Sequence, residues 1–148
     1  MSGSDRQEPS RPYPYHLAVR ATLRDTDALG HVNNACYVTW MEEIRNRYVF
    51  ERRGLTSIDA FDFILARTEI DYRSPVLLHE IVDLYCGPTH VGEKSWTFAY
   101  EGRVRGDGRP AFEAIAICVQ FDFAANRSIP IPEAFRAVLK RDRIEPRA

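Results

Sequence analysis

The 148-residue chain lacks several features that mark large protein classes. It has only three cysteines, an odd number with no C-x-x-C pair, which favours buried, reduced thiols in a cytosolic protein over a disulfide framework. No apolar run approaches the ~20 residues that span a bilayer. The formal net charge is −1, so the chain as a whole gives no argument for nucleic-acid binding. The first fifteen residues contain no apolar segment of the secretory type.

The remaining composition is that of an ordinary globular protein. At this length we expect one domain with a substantial core. The proline-rich start predicts a disordered tail over residues 1–12, followed by a single domain over residues 13–148. We expect a cytoplasmic protein that binds neither nucleic acid nor a membrane.

Apolar periodicity predicts a strand, a long helix and then four more strands. Residues 15–24 alternate like a strand, with Leu17 and Leu23 on one face. Residues 33–53 have a helical period, and Gly54 is suited to end that helix. Further strands are predicted at 63–72, 79–87, 93–103 and 110–123, and a short helix at 131–141. The charged residues expected on the outer surface of the long helix are Glu42, Glu43, Arg45, Arg47, Arg52 and Arg53.

This order of elements predicts an α+β fold in which an antiparallel sheet curls around the long helix. The later strands have short connections, which suit antiparallel neighbours, and a single long helix must bury its apolar stripe against a sheet. One sheet and one helix bury few side chains for a chain of this length. Joining two sheets edge to edge would cover the open strands and add buried surface, so we expect a homodimer or a dimer of dimers.

The stretch R-D-T-D-A-L-G-H-V-N-N over residues 24–34 is the most informative part of the sequence. It joins the first strand to the long helix and places a carboxylate, a glycine, a histidine and two asparagines at one helix N-terminus. That end of a helix has unpaired N–H groups and partial positive charge, which can polarise a carbonyl or hold an anion. A carboxylate just upstream can attack such a carbonyl or activate water. These are the parts of an acyl-transfer site.

The pattern D-x-D-x-x-G-H-V-N-N-x-x-Y-x-x-W-x-E, which starts at Asp25, resembles the hotdog-fold acyl-CoA thioesterases. The resemblance covers residues 15–123 and is closest to the branch with 4-hydroxybenzoyl-CoA thioesterase and the bacterial long-chain acyl-CoA thioesterases. It implies a hotdog fold and the hydrolysis of an acyl-CoA to a carboxylic acid and CoA. Plant acyl-carrier-protein thioesterases have a similar H-V-N-N block, so the thiol carrier stays open. A non-catalytic acyl-thioester binding protein is the third alternative.

The resemblance also implies roles for single residues. Asp27 matches the catalytic carboxylate, as nucleophile or as general base to water. Asn34 matches the position whose backbone N–H points at the thioester carbonyl. Gly30 matches the glycine that lets substrate approach the turn, and His31 matches a position that supports the loop. The expected substrate-binding residues are Asn33, Tyr37, Trp40, Arg73 and Lys94.

Each of these residue types also has an ordinary structural use. Asp25 and Asp27 suit turns and caps, and we prefer that role for Asp25. Asn33 suits a helix N-cap, and aromatic residues on the helix stripe, Tyr37 and Trp40, are as often core as pocket. The structure can separate these uses by showing which polar atoms are already bonded.

Other reactive groups are weaker candidates. Some hotdog thioesterases use a glutamate on the central helix, which would make Glu42 or Glu43 the catalytic residue. A hotdog dehydratase would need a histidine facing a carboxylate, which this motif does not supply. Cys36, near His31 in sequence, would need a lowered thiol pKa to act as a nucleophile.

The basic residues and histidines give further expectations. Arg73, Lys94, Arg103 and Arg105 fall at predicted strand ends or turns, where they could bind the CoA phosphates. No cofactor is expected, since a thioester is already activated. His79 and His90 have no second ligand at metal-binding spacing, so no metal site is expected.

Overall fold

A six-stranded antiparallel sheet packs on one long helix in the computed structural model, which describes residues 5–147. The elements are β1 Tyr15–Arg20, α1 Asn34–Arg53, β2 Phe63–Tyr72, β3 Ile81–Val91, β4 Ser95–Val104, β5 Pro110–Asp122, β6 Arg127–Ser128 and α2 Glu133–Asp142. The strand order is β1-β3-β4-β5-β2, and β6 pairs with β5. Within the described residues no helix is long and apolar enough to cross a membrane.

Helix α1 lies in the curve of the sheet, as the sequence predicts. Its buried stripe includes Tyr37, Met41, Ile44 and Tyr48 at steps of three and four residues. These side chains pack on the inner face of the sheet, whose buried residues include Val82, Leu84, Phe98, Tyr100, Phe112 and Ala116. The α+β prediction, with a curled antiparallel sheet around a long helix, is confirmed.

The first strand is shorter than predicted. It ends at Arg20, and Leu23 lies in a short 3-10 turn, Leu23–Asp25, with 74% of its surface exposed. The Asp25 carboxylate accepts hydrogen bonds from the Thr22 N–H and hydroxyl at 2.7 and 2.9 Å. This local capping turns the chain out of the sheet, so the prediction that Leu23 shares the inner face is wrong.

Strand β3 is longer than predicted. The predicted strand ends before Pro88, yet β3 continues to Val91 with a shift in register between Pro88 and His90. A bulge of this kind accommodates a proline, which lacks the N–H that a regular strand pair needs. Strand β3 therefore extends past Pro88 and ends at Val91.

Arg45 is buried rather than on the outer surface of α1, so that prediction is wrong. Only 3% of the residue is exposed, and its Nη1 donates to the Tyr100 hydroxyl at 3.1 Å. Its Nε is buried without a hydrogen-bond partner among the described residues. An isolated helix stripe could not reveal this contact, because β4 supplies the partner.

The N-terminal segment lies on the outer face of the sheet. The Gln7 N–H donates to Asp83 Oδ2 at 3.0 Å, and the Ser10 N–H donates to Glu101 Oε2 at 2.8 Å. Both carboxylates are fully buried. Of the tail predicted at residues 1–12, residues 1–4 lie outside the described residues, and Gln7 and Ser10 make these contacts.

Candidate active site

The connection between β1 and α1 folds into a tight loop. The Asp27 N–H donates to the His31 carbonyl at 2.8 Å, and the Gly30 N–H donates to the Asp27 carbonyl at 3.1 Å. Gly30 has φ +76°, a conformation that glycine adopts without steric cost. A Cβ on Gly30 would meet no described atom within 4 Å, so the backbone angle, not a close neighbour, explains this glycine within the chain.

The two oxygens of the Asp27 carboxylate have different surroundings. Oδ1 accepts the Leu29 N–H at 2.8 Å and the His31 N–H at 3.3 Å. Oδ2 accepts no hydrogen bond from the described residues, and the residue is exposed. One oxygen therefore organises the loop, while the other is available to a ligand. The structural and the chemical interpretations of Asp27 are compatible.

The N-terminus of α1 lies beside this loop. Asn33 caps the helix, since its side chain accepts the Ala35 N–H at 2.9 Å and its carbonyl accepts the Cys36 N–H at 2.9 Å. The Asn33 N–H itself donates to the Asp25 carbonyl at 2.7 Å. The Asn34 N–H is the first of the helix and has no intrahelical acceptor. It lies at the positive end of the helix dipole.

An open recess of about 240 Å³ lies between the loop, the N-terminus of α1 and the segment after β2. Val76 accepts the Val32 N–H at 2.8 Å, and Leu77 pairs with His31, which holds the two segments together. The recess is lined by Asp27, His31, Val32, Asn34, Tyr37, Tyr72, Arg73, Ser74 and Pro75.

Five predicted site residues therefore meet in one place: Asp27, His31, Asn34, Tyr37 and Arg73. Tyr72, Ser74 and Pro75 also line the recess but are not predicted from the sequence, because S-P after a strand indicates by itself only a strand end. Tyr72 closes one side of the recess, with its hydroxyl 3.3 Å from the Asn34 carbonyl that it donates to.

Two other predicted residues lie near the recess but do not line it. Asn33 is engaged as the helix cap described above. Trp40 packs edge to face against Tyr37, with ring centroids 5.4 Å apart, and is only 8% exposed. Trp40 therefore supports Tyr37 from behind.

Lys94 is placed at the opposite end of the sheet. Its carbonyl accepts the Gln120 N–H, near the end of β5, whereas the Arg73 N–H donates to the Ala111 carbonyl at the start of β5. Within this chain the two basic residues are thus separated by most of a strand that rises ~3.3 Å per residue. The structure does not bring Lys94 to the recess.

The remaining charged candidates are engaged elsewhere. Arg105 forms an ion pair with Asp83 at 2.6 Å, and Arg103 with Glu101 at 3.3 Å, on the outer face of the sheet. Glu42 and Glu43 are exposed and line no part of the recess, and Glu43 pairs with Arg47 one turn along the helix. None of these groups faces Asp27.

Cys36 is not activated. Burial is the main cause that raises the pKa of the Cys36 thiol, and the Asp25 carboxylate raises it further. The Cys36 Sγ lies 3.4 Å from the Asp25 carbonyl oxygen. A thiol in this setting is poorer in thiolate than a free cysteine. The carboxylate of Asp27 is therefore the better candidate for chemistry at this helix end.

Two larger cavities lie away from this loop. Cavities of about 390 and 380 Å³ are lined by the N-terminal segment and the outer face of the sheet, respectively. Across residues 5–147 no group of three or more His, Cys, Asp or Glu side chains is placed to hold a metal ion.

Comparison with known proteins assigns the family. The family model of the thioesterase-like superfamily matches residues 21–139, which include the whole recess. The chain belongs to the thioesterase-like superfamily. A thioesterase from Thermus thermophilus, solved with coenzyme A and Zn, is 30% identical and aligns with a TM-score of 0.79 over 90% of this chain and 98% of its own.

Two further proteins are similar to this chain over most of its length. The structure of a predicted thioesterase from Bacillus stearothermophilus superposes with a TM-score of 0.83 at 24% identity, over 89% of this chain and 98% of its own. YsmA of Bacillus subtilis strain 168 is 24% identical over 123 residues, which is 83% of each chain. The hotdog fold is therefore confirmed, and this thioesterase hydrolyses thioesters.

Proposed function

We propose that this thioesterase hydrolyses acyl-CoA thioesters, with Asp27 as the catalytic carboxylate and the Asn34 N–H as the oxyanion donor. The observation that supports it is the shared recess: Asp27, which has one unbonded carboxylate oxygen, and Asn34, the first residue of α1, line the same 240 Å³ space. A thioester carbonyl seated there would have a base or nucleophile on one side and a donor on the other.

The reaction needs no group beyond these. Asp27 Oδ2 takes a proton from water as the water oxygen attacks the carbonyl carbon, or it attacks that carbon itself and forms an anhydride that water then opens. In either route the carbonyl oxygen gains negative charge, which the Asn34 N–H and the helix dipole stabilise. In the general-base route the C–S bond then breaks, and the departing sulfur takes the electron pair and the proton that Asp27 holds. In the nucleophilic route the C–S bond breaks as the anhydride forms, and the water that later opens the anhydride supplies the proton to the thiolate.

Coenzyme A is the thiol carrier that the observations favour. The related Thermus thermophilus thioesterase was solved as a complex with coenzyme A. In this chain Arg73 lines the recess with half of its side chain exposed, 3.3 Å from Glu113. Its guanidinium can reach an anionic phosphate outside the recess.

The test is thiol release from a panel of short, medium, long and aromatic acyl-CoAs, set beside the same acyl groups on acyl-carrier protein. We expect turnover of at least one acyl-CoA, at a kcat/KM above that of its carrier-protein counterpart. Faster turnover of the carrier-protein esters would identify that protein as the carrier. Binding without release from either would identify an acyl-thioester binding protein and contradict the proposal.

We also infer a homodimer formed along β2. This strand is the longer of the two edge strands of the sheet, β1 being the other, and it exposes Ile64 and Leu65 at 37% and 41%, so a second β2 can pair with it. Sedimentation velocity should give twice the mass of the chain, and Leu65→Lys should shift the protein toward monomer. Leu23→Lys, at a site that is 74% exposed and lies in the turn Leu23–Asp25, outside β2, is the control. A monomeric wild type would contradict the dimer.

The three cysteines, all free in the structure, support a reducing, cytoplasmic location for this enzyme.

A further inference from the structure

Arg109 does not line the recess, yet it bonds to a residue that does. It lies in the turn between β4 and β5 and directly precedes β5. Its Nη2 donates to the carbonyl of Pro75, a recess residue, at 3.0 Å and to Glu80 Oε2 at 2.5 Å. Its Nη1 donates to Asp107 Oδ2 at 2.7 Å. One guanidinium therefore serves a carbonyl and two carboxylates, a task that suits the planar fork of donors in arginine.

Glu80 extends this contact to the turn that follows the recess segment. The Oε2 atom that accepts from Arg109 also accepts the Leu77 N–H at 2.8 Å, and the Glu80 N–H donates to the Leu77 carbonyl at 3.1 Å. Within the same turn His79 has φ +70°. A residue with a Cβ keeps such a backbone angle only where the surrounding contacts hold it. The turn therefore depends on bonds of the kind that Glu80 and Arg109 supply.

The segment that Arg109 holds is the partner of the loop that contains Asp27. Leu77 pairs with His31 in an antiparallel bridge, and a neighbouring hydrogen bond of 2.8 Å joins the same two segments. The His31 N–H donates to Asp27 Oδ1 at 3.3 Å, and the His31 carbonyl accepts the Asp27 N–H at 2.8 Å. A continuous series of contacts thus runs from Arg109 to Asp27, and every contact in it lies within one chain.

We propose that Arg109 is a positioning residue of this thioesterase, which fixes the recess segment and, through it, the loop that presents Asp27. The inference rests on the proposed function, because it takes Asp27 as the catalytic carboxylate. Arg109 acts through Glu80 and Pro75 and does not contact the substrate. Such a role affects the rate because a displacement of ~1 Å in a reacting group can cost about 100-fold.

The experiment measures kcat and KM of Arg109→Gln, Glu80→Ala and the double variant with an acyl-CoA chosen as a good substrate of the wild type. Arg109→Gln should lower kcat by about tenfold. KM should stay near the wild-type value, since Arg73 is held separately by the Ala111 carbonyl, which accepts its N–H at 2.9 Å. Glu80→Ala should give a similar loss of kcat. The double variant should lose little more than either single variant, because both changes break the same series of contacts.

Arg53→Gln is the matched control. It breaks an ion pair with Asp62, with bonds of 2.6 and 3.0 Å, at the opposite end of α1 from Asn34. Each rate is measured below the melting temperature of the variant, which circular dichroism gives, so that only folded protein is compared. Arg53→Gln should lower the melting temperature and leave kcat unchanged.

Two results would overturn the positioning role while leaving the proposed function intact. In the first, Arg109→Gln behaves like Arg53→Gln and loses stability with no loss of kcat. In the second, the double variant loses the product of the two single losses, which would show that Arg109 and Glu80 act independently. Absence of hydrolysis of every acyl-CoA by the wild type would instead refute the thioesterase activity on which the inference rests.

Discussion

Asp27→Asn should lower kcat by about 100-fold or more, within the range that loss of a general acid–base group produces. The amide oxygen of asparagine can still accept the Leu29 and His31 N–H groups that Asp27 Oδ1 accepts at 2.8 and 3.3 Å. The loop is therefore expected to stay folded, and KM should change little. Steady-state thiol release with saturating acyl-CoA measures the effect.

Asp25→Asn is the matched control in the same loop. The Asp25 carboxylate already accepts the Thr22 N–H and hydroxyl, and asparagine can accept the same bonds. We expect kcat within about threefold of the wild type, since changes that preserve the local contacts have small effects. Equal losses in the two variants would mean that Asp27 acts through loop structure alone.

Asn34→Pro should lower kcat by about 100-fold, because loss of one oxyanion donor commonly costs 10²–10³ in kcat. Proline removes the backbone N–H but is well tolerated at the first helical position. Asn33 has φ −62° and ψ 138°, an extended conformation that suits the residue before a proline. The helix is therefore expected to form, which circular dichroism can confirm beside the rate measurement.

Asn34→Ala is the control for the side chain, since it keeps the N–H. If the donor is the backbone group, the alanine variant retains most of the wild-type kcat while the proline variant loses it. Comparable losses in both variants would assign the effect to the Asn34 side chain and contradict the oxyanion role.

The long helix could be predicted closely because its signals are local. Its apolar residues repeat at helical spacing along the helix itself, Asn33 caps its first turn, and Gly54 directly follows its last residue. The strand ends were less predictable. The Thr22–Asp25 contact that ends β1 and the bulge that carries β3 past Pro88 depend on geometry that alternation of apolar residues does not encode.

Some residues of the candidate site could likewise be predicted from local sequence, and others could not. Asp27 and Asn34 belong to one contiguous stretch, so their motif is visible in the sequence. Tyr72 and Pro75 come from the end of β2, about forty residues later, and reach the recess through the pairing of Val32 with Val76. No local pattern marks that contact, and the sheet register determines it.

Lys94 illustrates a position that local pattern does not determine. A basic residue in a turn is a reasonable partner for phosphate, but turns lie at both ends of a sheet. Only strand order and direction place Arg73 at the recess end and Lys94 at the other. Burial of Arg45 against Tyr100 on β4 is a second case, since it depends on which strand lies under α1.

The shared recess is tested most directly as an acyl-transfer site by measuring the free acid and CoA that the wild type and Asp27→Asn release from one acyl-CoA, chosen as a good substrate of the wild type. The wild type should release acid and CoA in equal amounts over many turnovers, and the variant should be slower by about 100-fold or more. Equal rates of release from the two proteins would contradict the role of Asp27 and, with it, this assignment of the active site.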